Sequence, residues 1–130
     1  MCGSELRGFQ SRIAAFDARG VRVAAISADT PETNLEYRRE LGLTYPLLSD
    51  PGGDVLRRYD LLHAGAGPGG SDISRPAEFL VDAAGNVRWS NVTRSAVVRA
   101  RPEDVLKAAD ALATAPAPAP GRAPAPAPAR

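Results

Sequence analysis

The sequence is short of the side chains that carry most metal and disulfide chemistry. Its 130 residues include one cysteine (Cys2), one histidine (His63) and one tryptophan (Trp89). A lone cysteine excludes a disulfide within the chain and a cysteine-rich zinc site. No apolar run approaches the ~20 residues a spanning helix needs. No charged segment followed by an apolar stretch marks a secretory signal. An excess of one charge is also missing: 16 basic residues face 15 acidic ones, leaving +1. That balance argues against nucleic acid and against an acidic membrane surface as partners. Nearly all the basic residues are arginines, scattered along the chain with no stripe interleaved with aromatics. No metal and no cofactor is expected, and the expected location is cytoplasmic.

What is present divides in two. Residues 113–130 are almost only Ala and Pro. Such a segment favours extended, polyproline-like conformers, cannot form a packed core, and is expected to be disordered. The folding domain is therefore expected over residues 1–112. The tail also holds Arg122 and Arg130, so the domain itself is nearly neutral.

Within that domain, residues 5–19 predict an amphipathic helix, because Leu6, Phe9, Ile13 and Phe16 recur at steps of three and four before Gly20. The apolar run 21–28 (VRVAAISA) predicts a strand buried on both faces, as in a parallel sheet. Thr30 and Pro31 predict the N-cap and first residue of a second helix, ending near Leu41 and Gly42. Residues 45–49 (YPLLS) read as a short strand at an edge or with Pro46 near its start. A turn over 50–53, a short helix over 54–59 and a Gly-rich loop over 63–74 follow. Residues 78–82 (EFLVD) read as another buried strand, joined by a hairpin turn at 83–86 to an antiparallel strand over 87–92. Pro102, Glu103 and Asp104 open a last helix, which reaches about Leu112. Helices alternating with buried strands predict an α/β layered fold.

Chemistry is concentrated in few places. Cys2 precedes the first helix, whose positive dipole end and free N–H groups favour the thiolate over the thiol. An inert terminal cysteine is the competing reading. His63 sits beside a Gly-rich loop and reads as a surface residue, and Trp89 as a packing residue. Glu5 is explained by the dipole at its helix start. The loop 65–70 does not lead from a buried strand into a helix, which excludes a phosphate cradle. Asn91-Val92-Thr93 fits a glycosylation sequon, which without a secretory signal carries little meaning.

Five stretches in order carry a resemblance: CGSEL, GVRVAAISADTPETN, LGLTYPLLSDPGGDVLRRYDL, RPAEFLVDAAGNVRW and RPEDVLKAADAL. Together they cover nearly all of residues 2–112 and resemble the alkyl hydroperoxide reductase and thiol-specific antioxidant family, the peroxiredoxin-like branch of the thioredoxin fold. The resemblance implies a thioredoxin-like sheet with flanking helices. It puts Cys2 where the family has its peroxide-attacking cysteine, or at the second cysteine of a C-P-x-C motif. A thiolate there attacks the peroxide and becomes a sulfenic acid, which a second thiol then converts to a disulfide. It implies Pro76 as the proline before the buried strand, often cis and packed beside the reactive cysteine, and Arg75 as the peroxide-activating arginine. The implied partners are a peroxide, a thiol reductant such as a thioredoxin-like protein, and a second copy in a homodimer. A thioredoxin-like thiol-disulfide oxidoreductase and an inactive truncated module are the alternatives.

Three departures from the family pattern stand out. Pro76 occupies the position three before Phe79 where many members have arginine, and Arg75 comes one residue earlier. There is no second cysteine. The strand that precedes the cysteine in the family, central between the strands matching 21–28 and 78–82, has no counterpart in the chain. The first (central) strand is thus expected to be missing, with Met1 a misassigned start and further residues upstream.

Overall fold

A computed structural model describes residues 3–93 and 100–114. The first helical stretch is broken in two: α1 spans Gly3–Ser11 and α2 spans Ile13–Ala18. The single helix expected over 5–19 fails at Arg12, where φ is −111° and ψ is 9°. Ser11 Oγ donates to the Gly8 carbonyl at 2.7 Å. Such back-bonding competes for helix carbonyls and bends the helix. The Arg12 N–H then closes a tighter turn onto Phe9 O at 3.1 Å. The apolar stripe survives the break, with Leu6 and Phe16 both buried.

β1 (Ala25–Ser27) pairs in parallel with β2 (Leu47–Ser49), with Ala25 opposite Leu47 and Ser27 opposite Ser49. α3 (Pro31–Leu41) makes the crossover between them. Its ends follow from the sequence: Thr30 Oγ1 accepts from the Thr33 N–H, Pro31 takes the first turn, and Gly42 closes the helix at φ 65°. α4 (Asp54–Arg58) leads to β3 (Leu62–His63), which pairs antiparallel with β4 (Ile73–Ser74). The expected plain loop over 63–74 therefore has ladder residues at both ends. Inside it Gly67 is crowded by Ser71 and by Ile73, whose Cγ2 would lie 2.8 Å from an added Cβ. Gly67→Ala should lower stability by about 1–3 kcal/mol through overpacking, and a urea midpoint unchanged from the parent would refute this.

β5 (Ala77–Val81) and β6 (Val87–Val92) form the expected hairpin. Asp82 sets its turn by accepting from the N–H groups of Asn86 at 2.9 Å and Ala84 at 3.0 Å. The Asn86 bond, then that of Ala84 and the charge of Arg88, hold this carboxyl below its ordinary value. Its contribution is thus present above the unfolded-state value and lost as pH falls through the folded one, below about pH 4. Asp82→Asn keeps an acceptor but does not titrate, so the variant should lose less stability than the parent over that acid range. Identical pH slopes in chemical denaturation would rule the effect out.

α5 (Pro102–Thr114) closes the fold and runs two residues past the expected domain end. The rest of the Ala/Pro tail lies outside the described residues. One cluster joins Leu6, Leu43 and Tyr45 with Phe9, Ile13, Val23, Ala25, Tyr37 and Leu41. A second joins Phe16, Val105 and Leu106 with Val21, Val23, Leu80 and Trp89. Val21, Val23 and Ala25 alternate along one side, so α1, α2, α3 and α5 all pack on the same face of the strands.

The opposite face is left open. Ile26 and Leu48, register partners on β1 and β2, are 40% and 48% exposed, and Val81 on β5 is 53% exposed. The burial on both faces expected for 21–28 is therefore corrected to burial on one, because the long helices stack on a single side. Ladder pairing is also shorter than the apolar run: only three residues of 21–28 pair with β2. The described strands form three separate two-stranded sheets, with β1 bonded to β2 and β5 to β6. No described strand is bonded to both β1 and β5. The mixed helix and strand architecture is that of a thioredoxin-like α/β fold.

Candidate active site

The site expected from the sequence centres on the start of α1. Cys2 lies outside the described residues, one position before Gly3. The first turn of α1 carries Glu5 and is held from two sides. From α3, Tyr37 and Leu41 approach Gly3 so closely that an added Cβ would lie 2.8 Å from the Tyr37 hydroxyl oxygen and 3.7 Å from Leu41 Cδ2. From the segment before β2, the buried Tyr45 hydroxyl donates to Leu6 O at 2.7 Å. Burial, and secondarily the Glu5 charge, push the Tyr45 phenol up to about 12. The Tyr45 segment is itself held by Arg38, whose guanidinium donates to Tyr45 O at 3.0 Å and to Thr44 O at 3.2 Å.

Arg75 and Pro76 stand side by side between β4 and β5. Their backbone is fixed by bonds from Arg75 N to Leu61 O at 2.7 Å and from Thr93 N to Pro76 O at 3.1 Å. Both residues are half-buried. The cis bond implied for Pro76 is not found, since no described peptide bond is cis. Pro76 enters β5 with its carbonyl already paired, since the Thr93 bond to Pro76 O continues the β5–β6 ladder by one rung. A trans bond suits that path.

The remaining residues take structural places. His63 is exposed on β3 opposite Ile73. Trp89 packs in the second cluster with Phe16 and Leu80, as a packing residue should. Asn91 Nδ2 donates to Glu78 Oε2 at 3.0 Å across the β5–β6 ladder. The sequon amide is therefore engaged within the fold. The other Glu78 oxygen is buried without a hydrogen-bond partner.

A polar network at the C-terminal ends of β1 and β2 escaped the sequence reading. Asn34 of α3 is 2% exposed. Its Nδ2 donates to Ser49 Oγ at 2.8 Å and Leu48 O at 3.1 Å, and its Oδ1 accepts from Ser27 Oγ at 3.0 Å. Next to it Asp50, also buried, accepts from the Leu56 N–H at 2.9 Å and so caps α4. These bonds satisfy their members and lock α3 and α4 to the strand ends. Among the described residues no group of three or more His, Cys, Asp or Glu is arranged to hold a metal. Among the same residues no helix is long and apolar enough to cross a membrane.

Comparison with known proteins agrees with the fold and the resemblance. Alkyl hydroperoxide reductase E of Mycobacterium tuberculosis is 30% identical over 101 residues, covering 76% of this chain and 63% of that protein. A peroxiredoxin of Pyrococcus furiosus is 29% identical over 94 residues, covering 68% of this chain and 41% of the relative. The chain thus spans less than two thirds of these relatives' length. Among solved structures, AhpC of Enterococcus faecalis superposes with a TM-score of 0.76 at 21% identity, covering 86% of this chain and 66% of that one. Reduced Prx3 of Vibrio vulnificus, in complex with H2O2, superposes with a TM-score of 0.77 at 19% identity, covering 88% of this chain and 74% of that one. Residues 1–90 match the model of the AhpC/TSA family, and the chain belongs to that family.

Proposed function

We propose that this chain is a thiol-dependent peroxidase of the peroxiredoxin kind, with Cys2 as its nucleophile. The observation that carries the reading is the family match over residues 1–90, which includes the only cysteine at the start of α1. The thiolate attacks one peroxide oxygen, the O–O bond breaks, and the leaving oxygen departs as alkoxide or hydroxide. Sulfur is oxidised to a sulfenic acid. A second thiol then attacks that sulfur, forming a mixed disulfide and releasing water. Cys2 is the only cysteine of these 130 residues, so they do not themselves supply the second thiol. An external reductant such as a thioredoxin-like protein, or a second copy in a homodimer, fits that requirement. A cytoplasmic setting, where thiol donors are kept reduced, suits the cycle.

Arg75 and Pro76 are assigned to the same site by the resemblance, Arg75 as the cation that polarises the peroxide and Pro76 as the wall beside the sulfur. Arg75 stands just before β5 and is half-buried as a residue, and its fixed positive charge is of the kind that acts on a peroxide anion or a polarised O–O bond. The test is one equivalent of hydrogen peroxide added to the reduced protein, followed by intact mass analysis with a 1,3-diketone trap for sulfenic acid. The expected product is a single adduct on Cys2. An unmodified Cys2 after prolonged exposure to excess peroxide would overturn the reading.

A further inference from the structure

α5 lies along both halves of the broken first helical stretch. Pro102 packs on Gly8 of α1, where its Cγ would be 3.5 Å from an added Cβ. At the break itself, Arg12 Nε donates to Glu103 Oε1 at 2.9 Å. Val105 and Leu106 pack on Phe16 of α2. Arg19, the C-cap of α2, donates from Nε and Nη2 to the two Asp110 oxygens at 2.7 and 3.2 Å. The contacts advance in step, from residue 8 to 19 on one side and from 102 to 110 on the other, so one continuous helix bridges two. The junction it bridges is the weakest part of the stretch. The N–H groups of Ala15 and Phe16 both return to Arg12 O, at 2.9 and 3.2 Å, and the Arg12 N–H to Phe9 O. Such short turns are softer than an unbroken helical ladder. The buried side chains on the two sides, Leu6 and Phe16, also lie in different core clusters.

We infer that α5 is a splint across the break at Arg12, with the Pro102 ring and the Glu103 carboxylate fixing the angle between α1 and α2. That angle sets how α1 seats against Tyr37 and Leu41 of α3. The two ion pairs do different work. Arg12–Glu103 fastens the junction, whereas Arg19–Asp110 holds only the far end of α2. This role is independent of the peroxidase activity proposed above. Both pairs are exposed, and such a pair shifts an opening equilibrium by about two- to fivefold.

The test is amide hydrogen exchange of the full chain, read residue by residue by NMR at low salt. Glu103→Gln keeps the side chain's shape and removes its charge. In this variant the junction amides of Arg12, Ala15 and Phe16 should exchange about two- to fivefold faster than in the parent, and those of α3 at the parent's rate. Asp110→Asn should instead speed the amides of Arg19 and Gly20 and leave Arg12 as it is. At 1 M salt, where screening acts within about 3 Å, the difference between parent and Glu103→Gln should vanish. Junction amides of Glu103→Gln that exchange at the parent's rate would overturn the inference. So would an equal acceleration in α3, which marks a general loss of stability, or an equal acceleration at Arg12 in Asp110→Asn, which would make α5 a cover without a fastening at the break.

Discussion

Cys2→Ser is expected to abolish peroxide consumption in the presence of a thiol donor, by at least about a thousandfold in rate. Serine has nearly the same shape, but its hydroxyl is not ionised at neutral pH and oxygen is a poor nucleophile toward a peroxide. The other side chains named at the site, Arg75, Pro76 and Tyr37, have no electron pair suited to the reaction. Loss should therefore be complete rather than partial. The variant should also keep the melting temperature of the parent, because serine is nearly isosteric with cysteine. Peroxide turnover in the serine variant at the parent's rate would remove Cys2 from the mechanism. It would leave the chain as a family member that acts by binding.

Asn34→Leu should cost about 2–4 kcal/mol of stability. Leucine has a similar volume, so the loss is not one of packing. It strips partners from three groups at once: the Ser27 hydroxyl, the Ser49 hydroxyl and the Leu48 carbonyl. Ser27 is buried but keeps the Asp29 carboxylate and N–H as partners, so the cost comes from the three Asn34 bonds lost together and from the Ser49 hydroxyl and Leu48 carbonyl that they served. Since domains have only about 5–15 kcal/mol to lose, the variant should show a much lower urea midpoint. A change below about 0.5 kcal/mol, the scatter of ordinary surface substitutions, would refute the network's role.

Asn34 also shows where the sequence stopped being informative. In α3 the polar Asn34 is buried while its neighbour Leu35 is 46% exposed. That inverts the pattern from which helix faces are read, because the helix docks on strand ends whose own groups need partners. The Glu78–Asn91 pair was hidden for the same reason, since its meaning comes from a cross-strand register. Local chemistry was legible where local chemistry decides. The Thr30, Pro31 and Gly42 boundaries of α3 and the span of β6 follow from caps and turn residues within a few positions. The break at Arg12 was not legible, because the apolar spacing continues through it. For the site, the resemblance proposes Cys2, Arg75 and Pro76, while Tyr37 and Tyr45 read as ordinary core aromatics until α3 and β2 are in place.

α2 is clasped to α5 at both of its ends. Arg12 pairs with Glu103 at 2.9 Å, and Arg19 with Asp110 at 2.7 Å, while Phe16 packs with Val105 and Leu106 beneath them. Partners so far apart in sequence meet only after most of the chain has been made. During synthesis the nascent chain can form the α3 crossover and the β5–β6 hairpin early. The second core cluster must wait for α5 to leave the ribosome. Until then Phe16, Leu80 and Trp89 lack the cover of Val105 and Leu106, so a premature stop before residue 105 would release a chain with this cluster open, a natural substrate for chaperones.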